Sequence, residues 1–194
     1  MNREEILLIK SLSKRSERSL RGQFIVEGVK NIAELTSSPI GIERIYYTQG
    51  MDEYIPEQLI ESSTSVSSKE MERMSQMKTP PGLLAVAHIP THDASLTFDE
   101  LPTQKAPFVL VADGIQDPGN LGTLIRSADW FGMAAVFVTE HTTDPWSNKC
   151  VQASMGSIFK VPVLNWTADC IPNTESLQHY AMDLDGTTYD NVVW

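Results

Sequence analysis

Residues 109–132 of this 194-residue chain read VLVADGIQDPGNLGTLIRSADWFG, and this stretch decides the fold class. With Phe108 in front, its first residues form an unbroken apolar run to Ala112, which predicts a strand buried on both faces. A polar turn follows, because Pro118 fits neither a central strand nor a helix interior. A helical pattern comes next, and a strand, turn and helix in this order predict an α/β fold with a parallel sheet.

The helix after the turn carries one arginine. Its apolar side is predicted from the helical spacing of Leu121, Leu124, Ile125 and Ala128. Asn120 is the predicted N-cap, and Arg126 lies off the apolar face beside Gly122. Glycine is costly inside a helix unless something must approach the backbone, so we expect Arg126 beside a gap near the helix N-terminus, as a site for an anion or a polarised hydroxyl. A solvated arginine paired with Asp129 is the simpler interpretation.

This stretch resembles motif 1 of the SpoU (TrmH-type) RNA 2′-O-ribose methyltransferases of the SPOUT superfamily, whose pattern is roughly N-x-G-x-x-x-R-x-A-x-x-F-G. The matching positions are Asn120, Gly122, Arg126, Ala128, Phe131 and Gly132. The segment VQASMGSIFKVPV at residues 151–163 resembles the part of the family that follows motif 1. Phe24–Gly28, which reads FIVEG, resembles the family's small substrate-recognition domain. The resemblance therefore covers nearly the whole chain.

The resemblance implies a small L30e-like α/β domain over residues 1–90 that binds the RNA substrate, a linker over 91–106, and a parallel-sheet SPOUT-type catalytic domain over 107–194. The implied reaction moves a methyl group from S-adenosylmethionine to a ribose 2′-hydroxyl of rRNA or tRNA, commonly in a homodimer. Arg126 and Asn120 take the catalytic roles. Residues Leu184, Asp185 and Gly186 follow the last predicted strand, where such a sheet meets a ligand, and they form the expected donor site.

The sequence departs from the family pattern at its C-terminal end. The family's motifs 2 and 3, which build most of the S-adenosylmethionine pocket and the deep trefoil knot, do not occur in these 194 residues. We therefore expect that the knot is not completed in this chain, and that the chain as given binds the donor poorly and is inactive. Two alternatives stay open: a catalytically silent RNA-binding module, and an unrelated α/β nucleotide-binding protein that holds phosphate in the turn before Gly122.

The charge of the chain is unevenly distributed. Its net charge is −10, which is unusual for a protein that binds RNA. Residues 10–21 nevertheless carry five basic side chains against one acidic side chain, and a local basic surface binds phosphate even on an acidic protein. The predicted RNA-binding residues are Lys14, Arg15, Arg18 and Arg21, together with Glu27 from the family resemblance. A merely solvated loop is the alternative for residues 14–21.

Composition indicates a chain without metal, disulfide or membrane. The two cysteines, Cys150 and Cys170, and the four scattered histidines have no metal-ligand spacing. No apolar run approaches the length that spans a bilayer, and the first residues lack a signal peptide, so we expect a cytoplasmic protein. Of the tryptophans, Trp130, Trp146 and Trp166 are predicted to pack in a core or interface rather than to stack on bases.

The remaining elements follow from periodicity and turn residues. We predict helices over residues 4–12, 29–35, 69–77 and 148–159, with Asn2 as the cap of the first. We predict strands over residues 23–27, 42–48, 83–89, 134–139, 161–164 and 180–184. Strands alternating with helices in the first ninety residues indicate a small α/β sandwich.

Overall fold

A computed structural model of the chain describes residues 1–91, 108–166, 180–182, 185–186 and 191. The N-terminal part contains helices α1 (Arg3–Ser11), α2 (Arg15–Arg21), α3 (Val29–Thr36), α4 (Glu57–Ile60) and α5 (Ser68–Met74), and strands β1 (Gln23–Glu27), β2 (Ile42–Tyr47), β3 (Thr64–Ser65) and β4 (Leu83–His88). The C-terminal part contains strands β5 (Val109–Ala112), β6 (Ala135–Val138) and β7 (Val163–Asn165), and helices α6 (Pro118–Trp130) and α7 (Asn148–Ser154). Short 3-10 turns lie at Asp52–Tyr54 and Ser157–Phe159.

The N-terminal sheet is mixed and has the strand order β1-β4-β2-β3. Strand β4 pairs antiparallel with β1 and β2, and the short β3 runs parallel to β2. Successive residues of a strand point to opposite faces, so Ile25 belongs to the apolar cluster of α1 and α5, whereas Phe24 and Val26 belong to the cluster on the other face. Both faces of this sheet are therefore covered, and the predicted α/β sandwich is confirmed.

The C-terminal sheet is parallel and has the order β5-β6-β7. Helix α6 follows β5 and buries the predicted apolar positions Leu121, Ile125 and Ala128. Pro118 stands in the first turn of the helix, where its missing N–H costs nothing. The expectation of a parallel α/β fold from residues 109–132 is thus confirmed.

One apolar cluster joins the two parts. It contains Phe24 and Ile32 from the N-terminal part together with Leu121 and Trp146 from the C-terminal part. The rings of Phe24 and Trp146 lie 4.8 Å apart between centroids and are tilted by 51°. The predicted packing role of Trp146 is correct, and the two sheets share this cluster, while each sheet also packs a separate smaller cluster on another face.

Several local expectations differ from the structure. Helix α6 begins at Pro118 and its N-cap is Asp117, not Asn120, because the Asp117 carboxylate accepts the backbone N–H of Asn120 at 3.0 Å. Residues 15–21 form helix α2 rather than a solvated loop. Residues 180–182 of the predicted last strand are not in a strand, and Met182 is fully exposed instead of packed on a sheet. The predicted linker, apart from Thr91, lies outside the described residues.

Candidate functional site

The carboxyl ends of the parallel strands form a polar edge. Asp113 follows β5 and Thr139 follows β6, and the Thr139 hydroxyl donates to Asp113 Oδ1 at 2.8 Å. Thr142 donates to the carbonyl of Ala112 at 2.7 Å, which ties the two loops together. Ligands of open parallel sheets bind at such an edge, and the exposed Asp113 carboxylate is an acceptor suited to hydroxyl or amine groups.

The carboxylate of Asp117 lies at the N-terminus of α6, the positive end of the helix dipole. Besides capping the helix, the Asp117 carboxylate pairs with the Lys149 ammonium of α7 at 2.5 Å. The hydrogen bond from Lys149, with that from the Asn120 N–H, lowers the pKa of Asp117 below its ordinary value. The first turn of α6 is thus capped by a side chain of the chain itself, which is already paired with a cation.

The space at Gly122 is filled by protein. A Cβ added there would lie 2.6 Å from Ala153 Cβ and 2.6 Å from the carbonyl oxygen of Cys150, both in α7. The expectation that something approaches the glycine backbone is correct, but the neighbour is helix α7 and no gap is left for a ligand. Gly122 therefore serves the close crossing of α6 and α7.

Arg126 lies on the solvent face of α6. The exposed residues of this helix are Asn120, Thr123, Arg126, Ser127 and Trp130, which we call the α6 exposed face. Within the described ranges, the Arg126 guanidinium forms no ion pair, not even with Asp129. The helix starts eight residues before it, so Arg126 is about 12 Å from the helix start rather than near it. The described part of the chain thus presents this cation on the exposed surface of α6.

The C-terminal end of the α6 exposed face, together with the C-cap residue Phe131, is strongly apolar. Trp130 is 85% exposed and Phe131 is 71% exposed, so the predicted packing role of Trp130 is not fulfilled inside this chain. Two large exposed aromatic side chains beside an arginine are typical of a surface that another molecule covers. Trp166, in contrast, packs edge-on against Phe137 with ring centroids 5.6 Å apart, as predicted.

Three of the predicted RNA-binding residues are accessible. Lys14, Arg15 and Arg21 are exposed, and Arg21 is partly neutralised by Glu17 at 3.2 Å. Arg18 is not available, because it is 4% exposed and bonds to Asp144 and to the carbonyls of Leu12 and Ser13.

Glu27 is likewise a structural residue and not a surface contact. It is fully buried, and its carboxylate accepts hydrogen bonds from Ser75, Asn148 and the N–H of Gln76. The sequence pattern identified Glu27 only by family resemblance, whereas its amide partner Asn148 was missed. A polar residue at the start of a predicted helix gives no sign of a partner 121 residues earlier in the chain.

Two of the three residues predicted to bind the methyl donor fall in the described part of the chain. Leu184 lies outside the described residues, and Asp185 and Gly186 are exposed.

In the described ranges, no three His, Cys, Asp or Glu side chains gather as a metal site requires. Among the helices of that same part of the chain, none is long and apolar enough to cross a membrane. The expectation that the knot is not completed in this chain stays a prediction.

Both parts of the chain match known families. Residues 107–194 match the SpoU rRNA Methylase family, and residues 3–85 match the MRM3-like substrate binding domain. The chain is 29% identical over 163 residues to "rRNA methyltransferase 3, mitochondrial" of Xenopus laevis. It is 31% identical over 157 residues to the 23S rRNA (guanosine(2553)-2'-O)-methyltransferase RlmP of Bacillus subtilis. Each alignment takes in 80% of this chain, but only 38% of the frog protein and 59% of the Bacillus protein.

Solved structures agree with the sequence relatives. A putative RNA methyltransferase of the TrmH family from Porphyromonas gingivalis superposes with a TM-score of 0.67 at 29% identity, covering 86% of this chain and 63% of that one. The SpoU methyltransferase AviRb from Streptomyces viridochromogenes, in complex with AdoMet, shares the fold with a TM-score of 0.71 at 22% identity, covering 90% of this chain and 65% of that one. The resemblance to the SpoU methylases is therefore confirmed, and the alternative of an unrelated nucleotide-binding protein is wrong.

Proposed function

We propose that the protein containing this chain transfers a methyl group from S-adenosylmethionine to a ribose 2′-hydroxyl of ribosomal RNA. The observation that carries the proposal is Arg126, exposed and without an ion-pair partner in the described structure, at the motif position of a SpoU family helix. The curated relatives are named as rRNA methyltransferases, and the Bacillus protein is named as a 2'-O-methyltransferase. The chain spans about two fifths to three fifths of their lengths.

In this reaction the main task of the protein is to position the ribose hydroxyl relative to the methyl donor. S-adenosylmethionine supplies a methyl group that its sulfonium already makes electrophilic, so the protein must orient a poorly nucleophilic alcohol. Arg126 holds the phosphate next to the target ribose through its planar donor fork and favours negative charge on the 2′-oxygen. It does not take the proton, since a guanidinium is already fully protonated. The carbon–sulfur bond breaks as the carbon–oxygen bond forms, the donor leaves as a neutral thioether, and the hydroxyl proton passes to solvent. Asp113, at the carboxyl edge of the parallel sheet, accepts hydrogen bonds from the donor, and the exposed Asp185 and Gly186 stay the predicted donor-binding residues.

A second copy of the chain completes the site in this proposal. Arg126 stands on the exposed face of a helix, and one exposed helix face does not surround a ribose and a methyl donor by itself. The exposed Trp130 and Phe131 next to it suit an apolar contact between two α6 helices. Such a homodimer places Arg126 of one subunit at the donor site of the other. Mixing Arg126→Ala subunits with donor-site variants would restore activity only if the site is shared.

The exposed basic residues of α2 supply a contact to RNA. Arg15 and Arg21 are the first and last residues of α2 and Lys14 is its N-cap, and all three neutralise phosphates, although the chain as a whole is acidic. We assign Arg18 and Glu27 no contact with RNA, because both are buried in internal hydrogen bonds.

The deciding experiment replaces Arg126 by Ala in the whole protein. Methylation of ribosomal RNA, read by mass spectrometry of 2′-O-methylated nucleotides, is expected to fall about 100-fold or more, as when one stabilising donor is removed from an active site. Arg73→Ala is the matched control, since Arg73 is an exposed helical arginine on α5. Full activity in the Arg126→Ala protein would remove the catalytic assignment. RNA binding without methylation by the wild type would favour the catalytically silent module.

A further inference from the structure

Glu27 is a buried carboxylate whose hydrogen-bond donors in the described structure are all uncharged. It is 0% exposed at the end of β1, and in the described part of the chain it forms no ion pair. Its Oε2 accepts the Ser75 hydroxyl, and its Oε1 accepts the Gln76 N–H at 2.9 Å and the Asn148 amide at 2.7 Å. A buried charge is tolerated only when hydrogen bonds replace the water it has given up, so all three donors are needed.

The same residue reaches helix α7 a second time through its backbone. Gln152 Nε2 donates to the Glu27 carbonyl at 2.9 Å, and Gln152 Oε1 accepts from Asn31 Nδ2 at 2.8 Å. Asn148 and Gln152 are four positions apart, and therefore lie on one face of α7. We call Glu27, Asn31, Ser75, Asn148 and Gln152 the Glu27 network. It joins three elements of the N-terminal part to one helix of the C-terminal part.

The Glu27 network lies between the two surfaces that the proposed function uses. On one side, β1 follows the basic helix α2 after the single residue Gly22. On the other side, α7 contacts α6 at Gly122, one helical turn before Arg126. The network therefore helps to set the position of α2 relative to Arg126, together with the ion pair that joins Arg18 of α2 to Asp144 in the C-terminal part.

We infer that Glu27 is a positioning residue that holds the basic helix α2 at a fixed distance from Arg126 and so determines which ribose of a bound RNA is methylated. This inference rests on the proposed function. Lys14 and Arg15 hold the RNA backbone, and a rigid connection to Arg126 then selects one nucleotide along it. Separation of the two parts leaves the amide of Asn148 without its partner and takes one of three donors from the carboxylate of Glu27, which opposes any change of angle.

Three variants separate the contributions. Glu27→Ala removes the acceptor for all three donors. Glu27→Gln keeps an oxygen for Gln76 and Asn148 and turns an amide toward the Ser75 hydroxyl, so it retains the network without the charge. Asn148→Ala removes only the bond from α7 to the Glu27 carboxylate and leaves that carboxylate its two donors from its own part, which keeps the test valid should Glu27→Ala fail to fold. Gln58→Ala, at an exposed amide of α4, is the control.

Two measurements are made on each variant of the whole protein. Spin labels at Ser19→Cys and Ser127→Cys, in a Cys170→Ser background diluted with unlabelled protein, report the distance from α2 to α6; buried Cys150 is not labelled. Steady-state methylation on unlabelled protein gives the KM for RNA and for the donor, and nucleotide mapping gives the position of the methyl group.

Glu27→Ala and Asn148→Ala are expected to broaden the distance distribution, to raise the KM for RNA about five-fold or more with the KM for the donor unchanged, and to spread methylation to neighbouring riboses. Glu27→Gln and Gln58→Ala are expected to match the wild type. A wild-type distance distribution in Asn148→Ala, or equal defects in Glu27→Gln and Glu27→Ala, overturns the inference. A wild type without methylation overturns the proposed function instead, and the spin-label distances still test the connection.

Discussion

Arg18 of helix α2 donates two hydrogen bonds to one carboxylate oxygen of Asp144, which lies 126 residues further along the chain. The two side chains are only 5% and 14% exposed, so the ion pair is nearly enclosed between the N-terminal and C-terminal parts. The guanidinium also donates to the carbonyls of Leu12 and Ser13, which leaves it fully engaged. A residue in a basic cluster is therefore part of the contact between the two sheets.

Replacing Arg18 by Ala is expected to lower the free energy of unfolding by about 3 kcal/mol, because Asp144 remains as a partly buried charge without its partner. Urea denaturation followed by circular dichroism measures the change. Arg15→Ala, on the exposed side of the same helix, is the control and should change stability by less than about 0.5 kcal/mol. The double variant with Asp144→Ala should be destabilised by less than the sum of the two single effects, and strict additivity would contradict the coupling.

Gly122→Ala tests the crossing of α6 and α7. The added methyl meets Ala153 and the backbone of Cys150 at 2.6 Å, where backbone cannot move aside cheaply. We expect a decrease of about 2 kcal/mol in the free energy of unfolding, as for other overpacked sites, although alanine is the better helix former. Thermal and urea denaturation give the value. Ser127→Ala on the exposed side of α6 should be nearly neutral, and a stabilised Gly122→Ala protein would show that the helices do not meet here.

The Asp117 cap predicts a dependence of stability on pH. Its pKa is lowered in the folded protein by the hydrogen bonds from Lys149 and from the Asn120 N–H. The resulting stabilisation is present above the unfolded-state pKa of about 4 and is lost as the pH falls through the lower, folded-state value. Asp117→Asn keeps an oxygen that caps the helix but removes the charge. Chemical denaturation of both proteins should show a difference near neutral pH that shrinks in acid; a difference that stays constant on acidification would exclude this origin.

The exposed basic residues of α2 predict how RNA affinity responds to salt. Each of Lys14→Ala, Arg15→Ala and Arg21→Ala should weaken binding and lower the slope of log affinity against log salt by about 1 for each phosphate that the variant no longer neutralises. Fluorescence anisotropy with a labelled ribosomal RNA fragment at several salt concentrations measures the slope. The exposed Lys69 of α5 provides a matched control, and an equal effect of Lys69→Ala would mean that binding is not localised to α2.

Features that depend on contacts between residues close in the sequence can be predicted from it. Features that depend on contacts between residues far apart in the sequence cannot. The Asn2 cap of α1, the apolar side of α6 and the strands around Leu83 and Val136 follow from neighbouring residues, and the structure confirms them. The prediction of Asn120 as the N-cap of α6 is wrong, since both Asp117 and Asn120 suit a helix start and only the backbone geometry chooses between them. Local spacing also identified Gly122 as a point of close approach without identifying helix α7 as the neighbour.

The sequence by itself determined the strand, turn and helix that carry Arg126, because periodicity and turn chemistry act over a few residues and the motif spacing is specific. Only the tertiary structure decided that Arg18 and Glu27 are internal, and that Arg126 and Trp130 are exposed. Their partners, Asp144 for Arg18 and Asn148 for Glu27, stand more than a hundred residues away, and burial depends on which surfaces the folded chain brings together. The sequence shows that a side chain is charged, but it does not show whether water or a distant carboxylate surrounds it.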